Sequence, residues 1–468
     1  MAKAKKKENL TPEERLQAAL VPDWEQPYKV PENWCWTQLG TYIDFATDYV
    51  ANGSFASLKQ NVAYYKEENY AILVKTQDFS NSFTEDLTYT DKHGYEFLKK
   101  SVLYGGELIL SNIGSIGKVF RVPQLNKPMT LAPNSIMIKC RRETDYDLLY
   151  YYLLSPFGTE QLYSITTGTA VKKFNKTDLK TIYLPLPPLP EQQRIVDCIE
   201  SLFAKLDEAK QKAQDALDSF ETRKAAILHK AFTGELTVQW RKEHGVGMES
   251  WNETILKDVC KVNPKKIDIN GLPDDLEVSF FPMASLSEIY GEITEPQTRL
   301  LKDVKNGFTN FSEGDVVFAK ITPCMENGKS AIIGKLVNGL GYGTTEFYVL
   351  RCNENLYNRY LYHMVRDTSF RNKAKAVMSG AVGQQRVPKS FMENYPLDLP
   401  SVPEQTEIVR ILDDLLAKEQ QAKEAAEAVL EQIDLMKKSI LARAFRGKLG
   451  TNDPAEESAV ELVKNIIS

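Results

Sequence analysis

The sequence predicts an α+β chain: two similar globular domains, each followed by a copy of the same long amphipathic helix. Three observations predict it. A 47-residue segment occurs twice, its apolar residues recur three and four positions apart, and the stretches outside it carry short β-rich runs broken by Gly, Pro and Asn.

The duplication comes first. Residues Pro190–Leu236 and Pro403–Leu449 align without a gap and share 19 of 47 positions. The period is far too long for a solenoid repeat, so a whole domain-plus-helix unit has been copied. Weaker echoes flank the segment. Leu184-Pro-Leu-Pro-Pro-Leu-Pro answers Leu397-Asp-Leu-Pro-Ser-Val-Pro, and Gly168-Thr-Ala-Val-Lys-Lys-Phe-Asn-Lys answers Gly380-Ala-Val-Gly-Gln-Gln-Arg-Val-Pro-Lys. Gly106-Glu-Leu-Ile-Leu-Ser-Asn-Ile parallels Gly314-Asp-Val-Val-Phe-Ala-Lys-Ile, and Trp34 and Trp251 open the two units. The helices are more alike than the globular parts.

Each copy has helix grammar. Pro190 and Pro403 suit the first helical position, and Glu191 and Glu404 favour the positive end of the helix dipole. Gly234 and Gly447 are natural stops. The first seam reads Ile195, Ile199, Leu202, Leu206, Ala209, Ala213, Ala216 and Phe220. The second reads Ile408, Leu412 and Leu415, breaks at Glu419, and resumes at Ala422, Ala426, Val429, Ile433, Met436 and Ile440. A helix of this length extends roughly 65 Å. The simplest partner for such a seam is its own copy, placed antiparallel by a chain that returns through a globular domain. The plainer alternative is that the seam only completes a larger core.

Strands are expected at Glu107–Leu110, Ser135–Lys139, Asp315–Ala319 and Thr345–Leu350, with one helix per domain at Tyr146–Leu154 and Leu356–Val365. Capping boxes at Thr11-Pro-Glu-Glu and Asp453-Pro-Ala-Glu signal two terminal helices, which either pack on each other or present a partner surface. The predicted segments are a basic arm and helix (1–29), a first globular domain (30–189), a long helix (190–236), a second globular domain (237–402), a second long helix (403–449) and a C-terminal helix (450–468).

Composition narrows the function. Hydrophobic content of 43% and charged content of 26% are those of a folded globular chain. No run of about 18 apolar residues occurs, and the basic start Met1-Ala-Lys-Ala-Lys-Lys-Lys lacks the apolar stretch of a secretory signal. A cytoplasmic location is expected. That arm is either a solvated tail or a contact to a polyanion. Six scattered cysteines without a C-x-x-C pair, and four isolated histidines, point to reduced thiols and no metal site. A net charge of −5 argues weakly against nucleic-acid binding by bulk charge, although phosphates sense charge only over about a Debye length.

No catalytic constellation is found. Asn327-Gly-Lys-Ser lacks the first Gly of a phosphate loop, Gly114-Ser-Ile-Gly-Lys is too short for one, and Asn263-Pro-Lys lacks the continuation of an amino-methyltransferase motif. The best binding signal lies before each long helix. The first loop offers Lys172, Lys173, Asn175 and Lys176, and the second Gln384, Gln385, Arg386 and Lys389. Small residues let backbone approach phosphates, Lys supplies charge, and the forked side chains suit base edges. Inter-strand turns add Lys75, Thr76, Ser111, Asn112, Lys118, Lys320 and Thr322. For all of these a plain solvated turn is the competing reading.

Two LPxPPxPEQ-type openings, twin heptad helices ending in Ala-Phe-x-Gly-x-Leu, and a variable domain opening near a Trp before each together resemble the DNA-specificity subunit of type I restriction–modification enzymes. The resemblance covers nearly the whole chain. It implies two target-recognition domains held apart on an antiparallel coiled-coil pair with pseudo-twofold symmetry, each domain reading one half of a split double-stranded DNA site. It also implies a non-catalytic chain docked by two modification subunits. S-adenosylmethionine, ATP and Mg would belong to the modification and restriction subunits, with no cofactor in this chain. Rival readings are a coiled-coil scaffold without nucleic acid, which has no need of matched Gly-basic loops, and a lone nuclease or methyltransferase.

Overall fold

The computed structural model describes residues 10–288, 293–381 and 383–468. The predicted basic arm at residues 1–9 therefore lies outside the described residues. The chain divides into two compact units, one formed by residues up to 212 with 429–468, the other by 213–428.

Each unit carries the same three sheets. In the first, Ile43–Asp48, Ser135–Cys140, Leu108–Ser111 and Val119–Arg121 lie in that order, antiparallel throughout. In the second unit Cys260–Val262, Phe347–Cys352, Val316–Ala319 and Ser330–Ile332 repeat the arrangement. A second sheet contains one parallel pair in each copy, Ala71–Val74 with Met129–Leu131 and Glu277–Phe281 with Gly341–Gly343. A third, two-stranded sheet pairs the strand after each opening Trp with the strand before the long helix, setting Cys35 opposite Leu186 and Asn252 opposite Leu399. That ladder closes each domain on itself. Central strands such as Leu108–Ser111 and Val316–Ala319 are buried on both faces and read as continuous apolar runs.

The long helices are not identical. The second runs uninterrupted over Val402–Ala444, about 65 Å at 1.5 Å per residue. The first is broken at Ser219 into Leu189–Asp218 and Phe220–Phe232. The Ser219 hydroxyl donates to Asp215 O at 2.8 Å and to Ala216 O at 3.2 Å, and the Arg223 guanidinium also donates to Ala216 O. Such back-bonding competes with the helix ladder and disturbs it locally. Both helices begin one residue before the expected Pro, and Gly234 and Gly447 take left-handed φ of 78° and 65° beyond their ends.

Within each unit the two helices run antiparallel. In the first unit, Lys437 bonds Asp207 at 2.5 Å and lies over the Phe203 ring, while Arg194 donates to Thr451 O and Glu456. In the second, Arg223 bonds Glu419 at 2.8 Å and Lys423 lies over the Phe220 ring. The observed seam differs from the expected one. Ile195, Ile199, Phe220, Ile408, Leu412 and Ile433 are buried, and Leu202, Leu206, Leu415 and Ile440 half-buried. Ile195 and Ile199 sit in the first domain's core, however, and Ile408 and Leu412 in the second's, so there the plainer alternative holds. Beyond Glu419 the expected stripe fails: Ala422, Val429 and Met436 are exposed. The Arg223 pairing draws Glu419 itself into the seam. The inward stripe then continues through Lys423, Ala426, Leu430, Ile433 and Lys437.

The domain helices form at Tyr146–Leu154 and Asn358–Arg366. Thr11 makes the expected capping box, but the last helix, Ala459–Ile467, is capped by Ser458 instead of Asp453, whose carbonyl closes a turn onto Glu456 N. The two terminal helices share the first unit's core through Leu16, Ala19, Ala459 and Val463. Cys35, Cys140 and Cys260 are buried, and Cys198, Cys324 and Cys352 half-buried. No helix is long and apolar enough to cross a membrane among the described residues.

Candidate nucleic-acid interface

In each unit the structure brings together two loops that were singled out separately. The turn after Leu108–Ser111 meets the glycine loop before the long helix. Ile113 bridges Lys173, Thr167 bridges Lys173, and Phe174 N donates to Asn112 O at 3.1 Å. In the second unit Ile321 bridges Arg386, Ser379 bridges Arg386, and Val387 N donates to Lys320 O at 2.9 Å. The backbone junction is the same, and it sets the register: Lys173 corresponds to Arg386 and Lys172 to Gln385. Gly168 (φ 99°) and Gly380 (φ 129°) hold the tight return, where an added Cβ would meet Val171 O at 2.5 Å and Gln384 O at 2.9 Å.

The side chains divide by what else holds them. Lys118, Lys172, Lys173 and Gln384 are exposed, and Gln385 is half-buried. The others are committed within the fold. Ser111 is buried and donates to Ile113 O, which argues against a DNA contact. Asn112 donates to Phe174 O, tying the loops together. Asn175 caps the short helix Lys176–Leu179 through Thr177 N and Asp178 N, and Lys176 bonds Asp48 at 3.1 Å. Lys75 and Thr76 form a tight turn whose Lys75 N donates to buried Asp78 at 2.8 Å; burial raises that carboxyl, with the Lys75 contacts opposing. Thr322 accepts from Gln385 N, Lys320 lies over the Tyr348 ring, and Lys389 bonds Glu393 at 2.9 Å. Arg386 makes a two-pronged bond to Glu346, with a closest approach of 2.8 Å, which holds that carboxyl below its usual range against the opposing effect of burial. Position 382 of this loop lies outside the described residues.

The model of the type I restriction modification DNA specificity domain matches residues 50–217 and 248–432, about three quarters of the sequence. The chain belongs to this type I DNA-specificity family. Among its relatives, the EcoAI specificity subunit of Escherichia coli is 34% identical over 260 residues, covering 47% of this chain and 44% of that subunit. The chain thus spans less than half the length of that relative. The StySPI specificity subunit of Salmonella potsdam is 22% identical over 93% of this chain and 94% of its own length. The HsdS subunit from Thermoanaerobacter tengcongensis has the same fold, with a TM-score of 0.61 at 20% identity over 91% of this chain and all of that one.

Sequence reasoning missed the anchor that this family member repeats at its helix starts. Glu191 and Glu404 do more than complement the helix dipole: both are fully buried hubs. Trp34 Nε1 donates to Glu191 at 2.7 Å, joined by Thr451 and Asn452 from beyond the other long helix. Trp251 Nε1 donates to Glu404 at 3.1 Å, joined by Thr237 and by the Arg241 guanidinium, each at 2.7 Å. Neighbouring Gln192 and Gln405 donate back to Pro187 O and Pro400 O. The repeated Pro-Glu-Gln and the two opening Trp residues were the available signal. Only their contact was missing.

Proposed function

We propose that this chain is the non-catalytic specificity subunit of a type I restriction–modification complex, reading a bipartite, asymmetric double-stranded DNA site. Each recognition domain reads one half, and the long helices set the spacing and dock two modification subunits. The observation that carries the reading is the loop junction, built on one backbone pattern in both copies yet presenting Lys172 and Lys173 in one and Gln384 and Gln385 in the other. A constant frame with unequal side chains is what two readers of different sequence require. Lys118, Lys172 and Lys173 supply phosphate contacts, and Gln384 and Gln385 base-edge contacts. Half-site spacing follows from where each reader sits, so helix length is the ruler. S-adenosylmethionine, ATP and Mg act in the partner subunits.

The test is duplex binding by this chain assembled with its modification subunit. Lys172→Ala should weaken all duplexes about equally, while Gln385→Ala should relax one half-site alone. Binding indifferent to both substitutions would favour a scaffold without a nucleic-acid role.

A further inference from the structure

A third segment joins each loop junction, and here the two copies differ. In the first unit Asn112 N donates to Asn134 O at 3.4 Å; in the second, Lys320 N donates to Glu346 O at 2.9 Å. Three residues link Met129–Leu131 to Ser135–Cys140, and three link Gly341–Gly343 to Phe347–Cys352. The backbone bond and the turn length give the same register, in which Asn134 answers Glu346. The side chains at that position have opposite fates. Glu346 is committed within the fold: its carboxylate holds Arg386 at 2.8 Å, and Arg386 is the counterpart of Lys173. Asn134 is exposed, and its amide makes no hydrogen bond among the described residues.

The surroundings of Asn134 are open. With Tyr64 and Pro133 it forms the rim shared by two clefts of the first unit, of about 490 and 360 Å³. The larger cleft reaches Asn112 and Ile113 of the junction, and the exposed Phe55 ring lines its wall. The Tyr64 hydroxyl donates to the Tyr49 hydroxyl at 3.0 Å, which steadies the ring beside Asn134. The charged groups of the larger cleft are Asp48, paired with Lys176 at 3.1 Å, and exposed Lys59; the smaller adds Lys75, 3.7 Å from Asp78. Asn134 takes a left-handed φ of 69°, which a short polar side chain tolerates. Glycine would meet that backbone demand equally well, so the turn and the amide can be tested apart. The amide sets an acceptor beside a donor. In the major groove adenine presents the complement, an N6 amino donor beside the N7 acceptor, whereas guanine offers two acceptors and cytosine one donor.

We propose that Asn134 is a specificity-determining residue of the first recognition domain, its amide accepting from N6 and donating to N7 of one adenine in the half-site that this domain reads. The inference rests on the DNA reading proposed above and assigns one base to one side chain. The second domain has no counterpart, because Glu346 and Arg386 bind each other there.

Two variants keep the left-handed turn: Asn134→Gly, which removes the amide, and Asn134→Asp, which replaces its donor by an acceptor. Each is assembled with the modification subunit and compared with the native complex in duplex binding. The duplexes carry the motif mapped for the native complex, with each adenine replaced in turn by guanine and by cytosine and the opposite base changed to match. The native complex should bind every replacement more weakly. Asn134→Gly should lose about fivefold or more of that discrimination at one adenine and keep it at the others. Asn134→Asp should bind the cytosine replacement at the same position better than the native complex does, since a carboxylate accepts from the cytosine N4 amino group. Discrimination by Asn134→Gly that is unchanged at every adenine, or relaxed across a whole half-site, overturns the proposal. Lys172→Ala, measured beside them, reports on the DNA reading separately: uniform weakening by that variant leaves the reading standing whichever way Asn134 falls, and a native complex that binds no duplex overturns both.

Discussion

Replacing Glu404 by Gln should cost the second unit far more than replacing Glu191 by Gln costs the first, although the two residues occupy the same place in the repeat. Glu404 is 1% exposed and accepts from Thr237, Trp251 and the buried Arg241 guanidinium. Gln would leave that guanidinium buried without its anion. Breaking a buried pair by removing one partner costs about 3–5 kcal/mol. In a unit of this size each kcal/mol moves the unfolding midpoint by about 2–4 °C, so the fall should be about 6–20 °C. Arg241→Met should cost a similar amount by stranding the carboxylate. Glu191 has neutral donors: Trp34 and Asn452 on one oxygen and the Thr451 hydroxyl on the other. A Gln keeps the first oxygen, and its amide can donate to Thr451 once that hydroxyl rotates, for a cost within about 1 kcal/mol. Thermal and urea unfolding, with hydrogen exchange to assign each transition, would measure both. Equal losses from Glu191→Gln and Glu404→Gln, or a neutral Arg241→Met, would refute the reasoning.

Other expected outcomes can be checked separately. Lys173→Ala should lower the salt slope of duplex binding by about 0.9, whereas Lys176→Ala, whose ammonium is held by Asp48, should change it less. The Glu346 carboxyl is lowered in the folded chain by the hydrogen bond from Arg386, so its stabilising contribution is full above its unfolded value and is lost as pH falls through the lower folded value. Amide exchange around Ser379–Arg386 should therefore quicken only in acid, and Glu346→Gln should remove that dependence. Gly447→Ala should cost about 2–4 kcal/mol, since φ is 65° and the new Cβ would lie 2.3 Å from Pro31 Cγ. Gly234→Ala should cost less, because its nearest contact at 2.8 Å is the flexible Met248 thioether. Inserting two turns into both long helices should lengthen the unread DNA spacer, as methylation mapping would detect.

What was legible in the sequence was local. The helix grammar from Pro190 and Pro403, the apolar runs at Leu108–Ser111 and Val316–Ala319, and the helix at Tyr146–Leu154 all depend on neighbours within a few positions. What was not legible depends on distant partners. Nothing near Glu404 in sequence points to Arg241, 163 residues away, and nothing near Arg386 points to Glu346. Those long-range bonds decide which candidate site residues remain exposed. Lys118, Lys172, Lys173 and Gln384 do, while Lys176 and Arg386 are drawn into ion pairs with Asp48 and Glu346. The seam failed beyond Glu419 for the same reason. A carboxylate that looked like an interruption becomes a seam position once Arg223 meets it.

The most direct test is to map methylated adenines genome-wide in a host carrying this chain and its modification subunit, beside the same host carrying Gln384→Ala/Gln385→Ala. The account predicts one motif of two unequal halves around a fixed unread spacer, with the substitutions degrading a single half. A contiguous or palindromic motif, or one untouched by those substitutions, would contradict it.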